Sequence, residues 1–345
     1  EPLLMLLGDT RLRKTLVVGG GFAAAAAALA LSAAGSFPAA LLALMLAFPA
    51  SGAFVTLSQA TLMDLNPGRE PQMMARWTVF GAAGNLLGPM LLTGLYAVGG
   101  NWRSAYWIIA ALALALALLA LPRRFQAARP ATVEEHTPDG VPSEQAAGLP
   151  AASLLPALGQ ALRAPGLMRW FIMLEFADLM LDVHLSYAAL YFADVVGLSP
   201  GALGLVMTAM TAADLLANLA LIPILERVPG LRLVRATAWL AGGLYAAWLL
   251  APWLWAKIAL AVLLRASTLG WYEVLQGEAY AALPGRSGTV MAINSLMGGT
   301  GAALVWLVGQ AAEGLGLPAA MWLLLAGPLA LIFLLPRARS VVKLK

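Results

Sequence analysis

The chain has 345 residues, of which 61% are hydrophobic and only 11% charged, and its formal net charge is +4. A soluble globular protein carries about 25% charged residues, and its surface has to meet water. The composition therefore excludes a soluble domain and predicts a protein embedded in a lipid bilayer, where each spanning segment is a helix. The basic residues do not indicate nucleic acid, because they sit in short loops between apolar runs.

Ten apolar runs are each close to the roughly 20 residues that an α-helix needs to cross a membrane. In chain order they are 15–35, 38–61, 74–97, 104–121, 167–195, 201–223, 236–251, 253–281, 289–312 and 317–335. Polar turns such as Asn66-Pro67-Gly68-Arg69 and Pro284-Gly285-Arg286 separate neighbouring runs. The pattern predicts an all-α, polytopic membrane helix bundle with about ten transmembrane helices.

A polar segment divides the first four runs from the last six. Residues 129–150 are rich in Pro, Gly and acidic residues without apolar periodicity, which is typical of a linker, and a short surface helix is predicted at 151–164. The predicted organisation is an N-terminal bundle over 1–121, a linker over 122–165, a C-terminal six-helix bundle over 166–336 and a tail over 337–345.

The distribution of basic residues predicts the orientation. If the first loop lies inside the cell, all 21 Lys and Arg residues fall on that side except Arg103 outside and Lys257 and Arg265 within a run. Short inner loops are enriched in Lys and Arg. We therefore expect a multi-pass protein, of the bacterial inner (plasma) membrane, with the linker and the C-terminus in the cytoplasm.

The sequence also repeats at an offset of 217 positions. Asp9 falls on Glu226, Gln59 on Gln276, and the Pro-Gly-Arg turn at 67–69 on that at 284–286. Two copies in the same orientation are typical of a parallel repeat of two bundles, with the substrate site near the bilayer midplane. The partners of the runs at 167–195 and 201–223 would precede residue 1. The offset therefore predicts that the chain holds four plus six spans of a six-plus-six architecture and lacks the first two, through truncation or through real loss.

Two groups of residues resemble motifs of the major facilitator superfamily (MFS) of transporters. Asp9, Arg13 and Lys14 match the acidic and basic positions of its loop motif G-x-x-x-D-R-x-G-R-R/K, although an Arg and a Gly of that motif are replaced. The segment Gly84-x-x-x-Gly88-Pro89 resembles the fifth-span motif of the drug/proton antiporter-like branch, without its trailing glycine pair. The resemblance covers the chain from the family's second span onward, and the first four runs correspond to its spans three to six.

The resemblance implies secondary active transport of a small-molecule solute by alternating access, with antiport, proton coupling and efflux as finer expectations. One departure affects the coupling. Phe48 occupies the place of an Arg that proton-coupled drug antiporters often carry four residues before a Gly of the fourth span. Arg265 occupies the equivalent place in the other half.

Charged side chains inside the apolar runs are the candidate functional residues. Each costs about 2.5–3.5 kcal/mol to insert, so such residues usually face a cavity, pair and serve function. Glu175, Asp178 and Asp182 share one helical face at about 100° per residue, with Ser186 beside them. Repelling carboxylates on one face are typical of a proton pathway.

The predicted substrate and proton pathway combines this face with polar residues of later runs. Its candidates are Asp178, Asp182, Arg265, Glu273, Asp214 and Gln276. Arg265 is expected to pair with Asp182 or Glu273 and to bind substrate or be released by protonation. A permanent packing salt bridge is the alternative.

Loop charges and small residues form two further groups. The candidates for a cytoplasmic gate are Asp9, Arg13, Lys14, Glu226 and Arg227, for which ordinary helix-end charges are the alternative. Close helix packing is the predicted role of Gly84, Gly88 and Pro89, because small residues let backbones approach.

Several function classes are disfavoured or stay open. With two His and no Cys, the sequence predicts no metal site, no cofactor and no enzyme. A channel, a facilitated uniporter, and a non-transporting sensor or degenerate carrier stay open as alternatives to the secondary transporter. Drugs, sugars, organic acids and peptides stay open as solutes, and import stays open beside efflux.

Overall fold

The structure of the chain is a computed structural model that describes residues 2–123, 125 and 154–336. In these residues every regular element is helical, and no strand occurs among them. The predicted all-α fold class is confirmed. The surface helix predicted at 151–164 corresponds to the helix Leu154–Leu162. Most of the predicted linker and the predicted tail at 337–345 lie outside the described residues.

The helices before the linker are α1 (Pro2–Leu7), α2 (Arg13–Ala33), α3 (Phe37–Ser51), α4 (Leu57–Asp64), α5 (Glu70–Ala97) and α6 (Trp102–Ala120). The later helices are α7 (Leu154–Leu162), α8 (Pro165–Asp178), α9 (His184–Leu190), α10 (Pro200–Leu225), α11 (Gly230–Leu250), α12 (Leu254–Ser267), α13 (Trp271–Ala281), α14 (Ser287–Leu315), α15 (Leu317–Met321) and α16 (Ala326–Leu334). Turns of π-helix lie at Gly52–Thr56, Leu179–Val183 and Tyr191–Val195.

Eight helical stretches in the described part of the chain are long and apolar enough to cross a membrane. They coincide with eight of the ten predicted runs. The other two runs are also helical, because α5 covers 74–97 and an unbroken helical path from α8 to the π-turn Tyr191–Val195 covers 167–195. The chain is an integral, multi-pass membrane protein, and the count of ten spans stays a prediction.

The helix boundaries repeat at the offset found in the sequence. The starts of α2 and α11 lie 217 positions apart, as do the starts of α5 and α14 and the ends of α4 and α13. The turns repeat as well: Gly68 and Gly285 have φ of 81° and 73°, and Gly99 and Gly316 have φ of 81° and 86°. Glycine takes this left-handed conformation without steric cost, so the same turn chemistry ends the same helices in both halves.

The contacts group the chain into two compact units. Unit 1 comprises Glu1–Glu70, Phe80–Leu167 and Ala279–Leu296, and unit 2 comprises Pro71–Val79, Met168–Glu278 and Met297–Lys345. Each unit thus contains the beginning of a long helix from the other half of the repeat, α14 in unit 1 and α5 in unit 2. The bundle boundaries predicted around 122–165 stay predictions.

Unit 1 is built around α2, which packs against α3 and α6. Small residues make this contact close. A Cβ added at Gly20 would stand 2.8 Å from the Cβ of Ala53, and one added at Gly21 would stand 2.8 Å from that of Ala117. Helices in lipid associate through such close backbone packing, because lipid supplies little hydrophobic driving force between them.

Unit 2 packs α10 and α11 against α12, and α11 against α16. Its core holds the fully buried side chains of His184, Tyr245 and Trp248. The His184 ring lies edge-on to Tyr245 and Trp248, with centroid distances of 5.4 and 5.6 Å. The Tyr245 hydroxyl donates to the Met321 carbonyl oxygen at 2.6 Å, which satisfies its polar end.

The spans that surround the candidate site are interrupted. The break between α12 and α13 contains Thr268 and Gly270, whose φ is 79°. At the same offset in the other half, the π-turn Gly52–Thr56 separates α3 from α4. Irregular backbone at membrane depth is tolerated where it is buried in protein or lines a cavity. The break between α12 and α13 lies beside such a cavity.

Candidate functional site

A cavity of about 260 Å³ lies inside unit 2. Most of the residues that line it have polar side chains. The lining residues are Thr78, Asp178, Leu181, Asp182, Asp214, Asn218, Arg265, Thr268, Leu269, Tyr272 and Glu273. Five of the six residues predicted for the substrate and proton pathway therefore line one cavity. The sixth, Gln276, is fully buried and does not line it.

Arg265 is the basic residue of the cavity wall, and its side chain is 5% exposed. Its Nη2 lies 3.3 Å from a carboxylate oxygen of Asp214. Its Nη1 donates to the carbonyl oxygens of Met180 at 3.3 Å and Leu181 at 2.5 Å. The sequence predicted Asp182 or Glu273 as its partner, so the pairing with Asp214 corrects that expectation. Asp214 was itself a predicted pathway residue, but the sequence did not identify it as the partner of Arg265.

The two carbonyl groups that accept from Arg265 belong to a π-helical turn, Leu179–Val183. A π-turn holds one more residue than an α-turn, so its carbonyls depart from the regular α-helical pattern. This turn also explains why Ser186 does not line the cavity. The predicted face assumed 100° per residue throughout, and the extra residue rotates every later side chain away from that face. Ser186 is instead exposed, with its hydroxyl on the Asp182 carbonyl oxygen at 3.1 Å.

Asp178 and Asp182 lie on the same side of this span, one at the end of α8 and one in the π-turn. Asp178 is half-buried and Asp182 is exposed. Their carboxylates interact by charge repulsion. Neither forms an ion pair with any Lys, Arg or His of the described residues. Both carboxylates are therefore available to a positive charge that enters the cavity.

Glu273 is the most buried carboxylate of the cavity, with 4% of its surface exposed. It lies in the first turn of α13, directly after the break at Gly270. A helix N-terminus favours a negative charge because its backbone N–H groups point outward. No described Lys, Arg or His forms an ion pair with Glu273. Burial without an ion pair makes Glu273 a candidate proton site, and the helix N-terminus stabilises the carboxylate once the proton has left.

The sequence missed the neutral groups of the cavity. Thr78 comes from the start of α5, Thr268 from the break between α12 and α13, and Tyr272 from the first turn of α13. Hydroxyl groups carry no insertion penalty comparable to that of a charge, so they do not stand out in an apolar run. Asn218, four residues after Asp214 on α10, also lines the cavity.

Glu175, the third carboxylate of the predicted face, lies outside the cavity. Its Oε2 packs against the backbone of Gly301 on α14, where an added Cβ would collide with it. The glycine therefore makes room for a carboxylate between two helices of unit 2. Glu175 is therefore not part of the cavity wall, although its carboxylate still interacts by charge repulsion with that of Asp178.

A second polar cluster lies in unit 1 at the start of α14. Asp9 is 1% exposed and accepts hydrogen bonds from the backbone N–H groups of Gly288 and Thr289, both at 2.7 Å. It also accepts from the Thr289 hydroxyl at 2.6 Å. Burial raises the pKa of Asp9 above its ordinary value, and the hydrogen bonds from Thr289 and the charge of Arg13 act against that rise. The carboxylate thus caps the N-terminus of α14.

Arg13 completes this cluster and is fully buried. It lies 3.2 Å from Asp9 and 2.5 Å from Asp64, and it donates to the Ser287 hydroxyl at 3.0 Å. Ser287 in turn donates to Asp64. The sequence proposed Asp9 and Arg13 for a gate, and Asp64 and Ser287 are partners that it missed. Asp64 precedes the Pro-Gly turn at 67–68, and Ser287 follows the equivalent turn at 284–285. A polar residue beside a turn is common, so neither position indicated a buried partner of Arg13.

The other gate candidates are exposed and form weaker contacts. Lys14 and Arg227 are exposed. Glu226 lies 3.7 Å from Arg76 in unit 2, and both side chains are about half exposed, at 51% and 47%. Nearby, the Gln72 amide donates to the Leu225 carbonyl oxygen at 3.3 Å. The loop of the second half therefore contacts the start of α5, as Asp9 contacts the start of α14, but without burial.

The glycines of the fifth-span motif lie on an open face of α5. Apart from the adjacent residues and backbone of α5 itself, no heavy atom of the described residues lies within 4 Å of a Cβ built at Gly84 or Gly88. The close packing predicted for Gly84, Gly88 and Pro89 stays a prediction. In the described part of the chain, no group of three or more His, Cys, Asp or Glu residues is arranged to hold a metal ion.

Comparison with known proteins gives a family and a fold. Residues 1–306 match the family model described as Major Facilitator Superfamily. No protein in a search of curated proteins is significantly similar. The solved structure of the E. coli fucose:proton symporter FucP aligns with a TM-score of 0.74 at 14% identity, covering 96% of this chain and 85% of that one.

Two further structures share the fold. The human organic anion transporter MFSD10 (TETRAN) aligns with a TM-score of 0.72 at 21% identity, covering 97% of this chain and 80% of that one. A bacterial homologue of the iron transporter ferroportin, in an outward-facing state, aligns with a TM-score of 0.67 at 16% identity, covering 97% and 85%. The named solutes differ in charge, so the fold leaves the solute undetermined.

Proposed function

This chain belongs to the Major Facilitator Superfamily, and we propose that it is a secondary active transporter that carries a small solute by alternating access. The observation that carries the proposal is the charged cavity of unit 2, built by interrupted membrane spans. Charged side chains at membrane depth are costly and mark substrate or ion pathways. A cavity with one arginine and four carboxylates is difficult to explain as packing alone.

Proton coupling is the second part of the proposal. The cavity holds more carboxylates than basic groups, and a proton is the smallest ligand that relieves this excess charge. Glu273 is our candidate for the proton site, because it is buried and forms no ion pair with a described residue. The fold is shared with FucP, a fucose:proton symporter.

The cluster of Asp9, Arg13, Asp64, Ser287 and Thr289 is our candidate for the cytoplasmic gate. It ties the loop before α2 to the N-terminus of α14 through buried, charge-assisted hydrogen bonds. Such bonds are worth about 1.5–3 kcal/mol each. A few of them are enough to hold one state of a transporter until ligand or proton binding supplies the opposing free energy.

The last parts of the proposal are the direction of transport and the membrane in which the protein lies. Efflux rests on the resemblance of Gly84-x-x-x-Gly88-Pro89 to the fifth-span motif of drug/proton antiporters. The cytoplasmic position of the linker and the C-terminus rests on the distribution of Lys and Arg residues. The bacterial plasma membrane rests on the composition, in which Arg outnumbers Lys and Ala and Leu dominate. The direction and the orientation are tested by the transport and labelling experiments below.

The transport test uses the full chain in proteoliposomes with a trapped pH-sensitive dye. Solutes are presented in four sets: amines, monosaccharides, organic acids and short peptides. We expect the flux of at least one solute to be accompanied by proton movement. That solute should accumulate when a pH gradient is imposed and should do no more than equilibrate when the gradient is collapsed. Equal flux with and without the gradient would indicate a uniporter, and no flux in any set would indicate a non-transporting protein.

Variants connect the flux to the cavity. Arg265→Ala and Asp182→Asn should each lower the initial rate by about tenfold or more, which corresponds to about 1.4 kcal/mol in the transport cycle. Glu313→Gln is the matched control, because this exposed carboxylate near the end of α14 does not line the cavity. If Arg265→Ala and Asp182→Asn both transport normally, the assignment of the cavity is wrong.

A further inference from the structure

The charge balance of the cavity in unit 2 carries one further inference. Its wall holds four carboxylates, those of Asp178, Asp182, Asp214 and Glu273, and one basic side chain, that of Arg265. Asp214 and Arg265 neutralise each other at 3.3 Å. The remaining three carboxylates have no cationic partner among the described residues. The cavity therefore attracts positive charge when these groups are ionised.

Arg265 is not available to a negatively charged solute. Nη2 is engaged by Asp214, and Nη1 is engaged by the carbonyl oxygens of Met180 and Leu181. The side chain is 5% exposed, so little of the guanidinium meets the cavity. To bind a carboxylate or a phosphate, Arg265 would have to give up these bonds beside three uncompensated carboxylates. The repulsion between an anionic solute and these carboxylates strongly disfavours its binding.

The size and the walls of the cavity narrow the solute further. Its volume of about 260 Å³ lies below the range of roughly 300–1,000 Å³ that is typical of sites for drug-sized ligands. Tyr272, Leu181 and Leu269 supply apolar and aromatic surface beside the carboxylates. An aromatic face adds to the binding of an organic cation. A dehydrated inorganic ion gains little from such a wall, and the carboxylates do not cluster as ligands of one metal ion.

From this balance we infer that the solute is a small organic cation with an ammonium or guanidinium group, an inference that rests on the proposed transport function. Asp178 and Asp182 receive the positive group, because they line the cavity, are accessible and form no ion pair with a described residue. Tyr272 and the two leucines receive the carbon skeleton. Asp214 stays with Arg265 and holds it away from the ligand.

The test uses three probes of nearly equal size and different charge: 3-phenylpropylamine, 3-phenylpropanol and 3-phenylpropionate. Binding to the full chain in nanodiscs is followed by tryptophan fluorescence and by the shift of the unfolding temperature. The amine should bind at least about tenfold more tightly than the alcohol or the carboxylate. Equal affinity for the three probes, tighter binding of the alcohol or the carboxylate, or binding of none of them overturns the inference.

Variants assign the preference to the named carboxylates. The double substitution Asp178→Asn and Asp182→Asn should lower the affinity for the amine about tenfold or more and leave the alcohol unchanged. Asp194→Asn is the matched control, because Asp194 is an exposed carboxylate later in the same span that does not line the cavity. An unchanged preference in the double variant overturns the assignment. If that variant does not fold, the comparison of the three probes on the unmodified chain still decides the charge class.

Flux of the same probes separates this inference from the proposed function. If the alcohol or the carboxylate moves through proteoliposomes and the amine does not, transport stands and the cationic class is wrong. If the amine binds selectively but no probe moves, the cationic class stands and the transport proposal is wrong. If no probe binds and none moves, both are wrong.

Discussion

Replacing Asp9 by alanine tests the buried cluster at the start of α14. The carboxylate accepts from two backbone N–H groups and one hydroxyl, and it faces Arg13 at 3.2 Å. Gly288, Thr289 and Arg13 would all lose this acceptor. Because Ser287, Thr289 and Arg13 are 1% exposed or less, water cannot easily replace the carboxylate.

The magnitude follows from these contacts. A buried donor left without its acceptor costs about 1–3 kcal/mol, and breaking a buried charged pair costs about 3–5 kcal/mol. Arg13 keeps Asp64 at 2.5 Å, which limits the loss. We therefore expect Asp9→Ala to lower the free energy of unfolding by about 3–5 kcal/mol.

Glu226→Ala is the internal control, because Glu226 occupies the equivalent position in the second half of the repeat. Its partner Arg76 is 3.7 Å away, and both side chains are about half exposed. Ion pairs in such positions contribute about 0–1 kcal/mol. The assay is reversible unfolding in mixed micelles with increasing denaturing detergent, followed by tryptophan fluorescence. Equal losses in the two variants would refute the reasoning that burial, rather than sequence position, gives the Asp9 cluster its strength.

Three further predictions concern the cavity, the break in its wall and the topology. Arg265→Ala should lower the free energy of unfolding in the same detergent titration by about 3 kcal/mol, because its carboxylate partner is left uncompensated; a loss below about 0.5 kcal/mol would contradict the ion pair. Gly270→Ala should lower the free energy of unfolding by at least about 1–2 kcal/mol, because its φ of 79° strains any residue with a Cβ. Gly243→Ala, in the open interior of α11, is the control and should be neutral or stabilising. Thermal unfolding of both variants measures the difference. Because the chain contains no cysteine, single Arg123→Cys and Arg286→Cys variants can be labelled with an impermeant thiol reagent, and labelling from opposite sides of the membrane would disprove the predicted orientation.

The sequence determined the helices because their signals are local. An apolar run of sufficient length has to form a helix in lipid, and Pro-Gly turns end it. The offset of 217 positions in the sequence reappears in the starts of α2 and α11 and in the left-handed glycines Gly68 and Gly285. The charged residues of the site could also be predicted from the sequence. An ionisable side chain in an apolar run costs free energy to insert into the membrane, so its presence there indicates a function.

The partners of those charges were decided only by the tertiary structure. Arg265 pairs with Asp214 and donates to a carbonyl oxygen of a π-turn, whereas the sequence predicted Asp182 or Glu273 as its partner. A π-turn leaves almost no trace in composition, yet it rotates every later side chain of its span. Contacts such as that of Asp9 with Thr289 join positions 280 residues apart. Hydropathy is a property of single segments, whereas pairing depends on which segments meet, and only packing in three dimensions decides that.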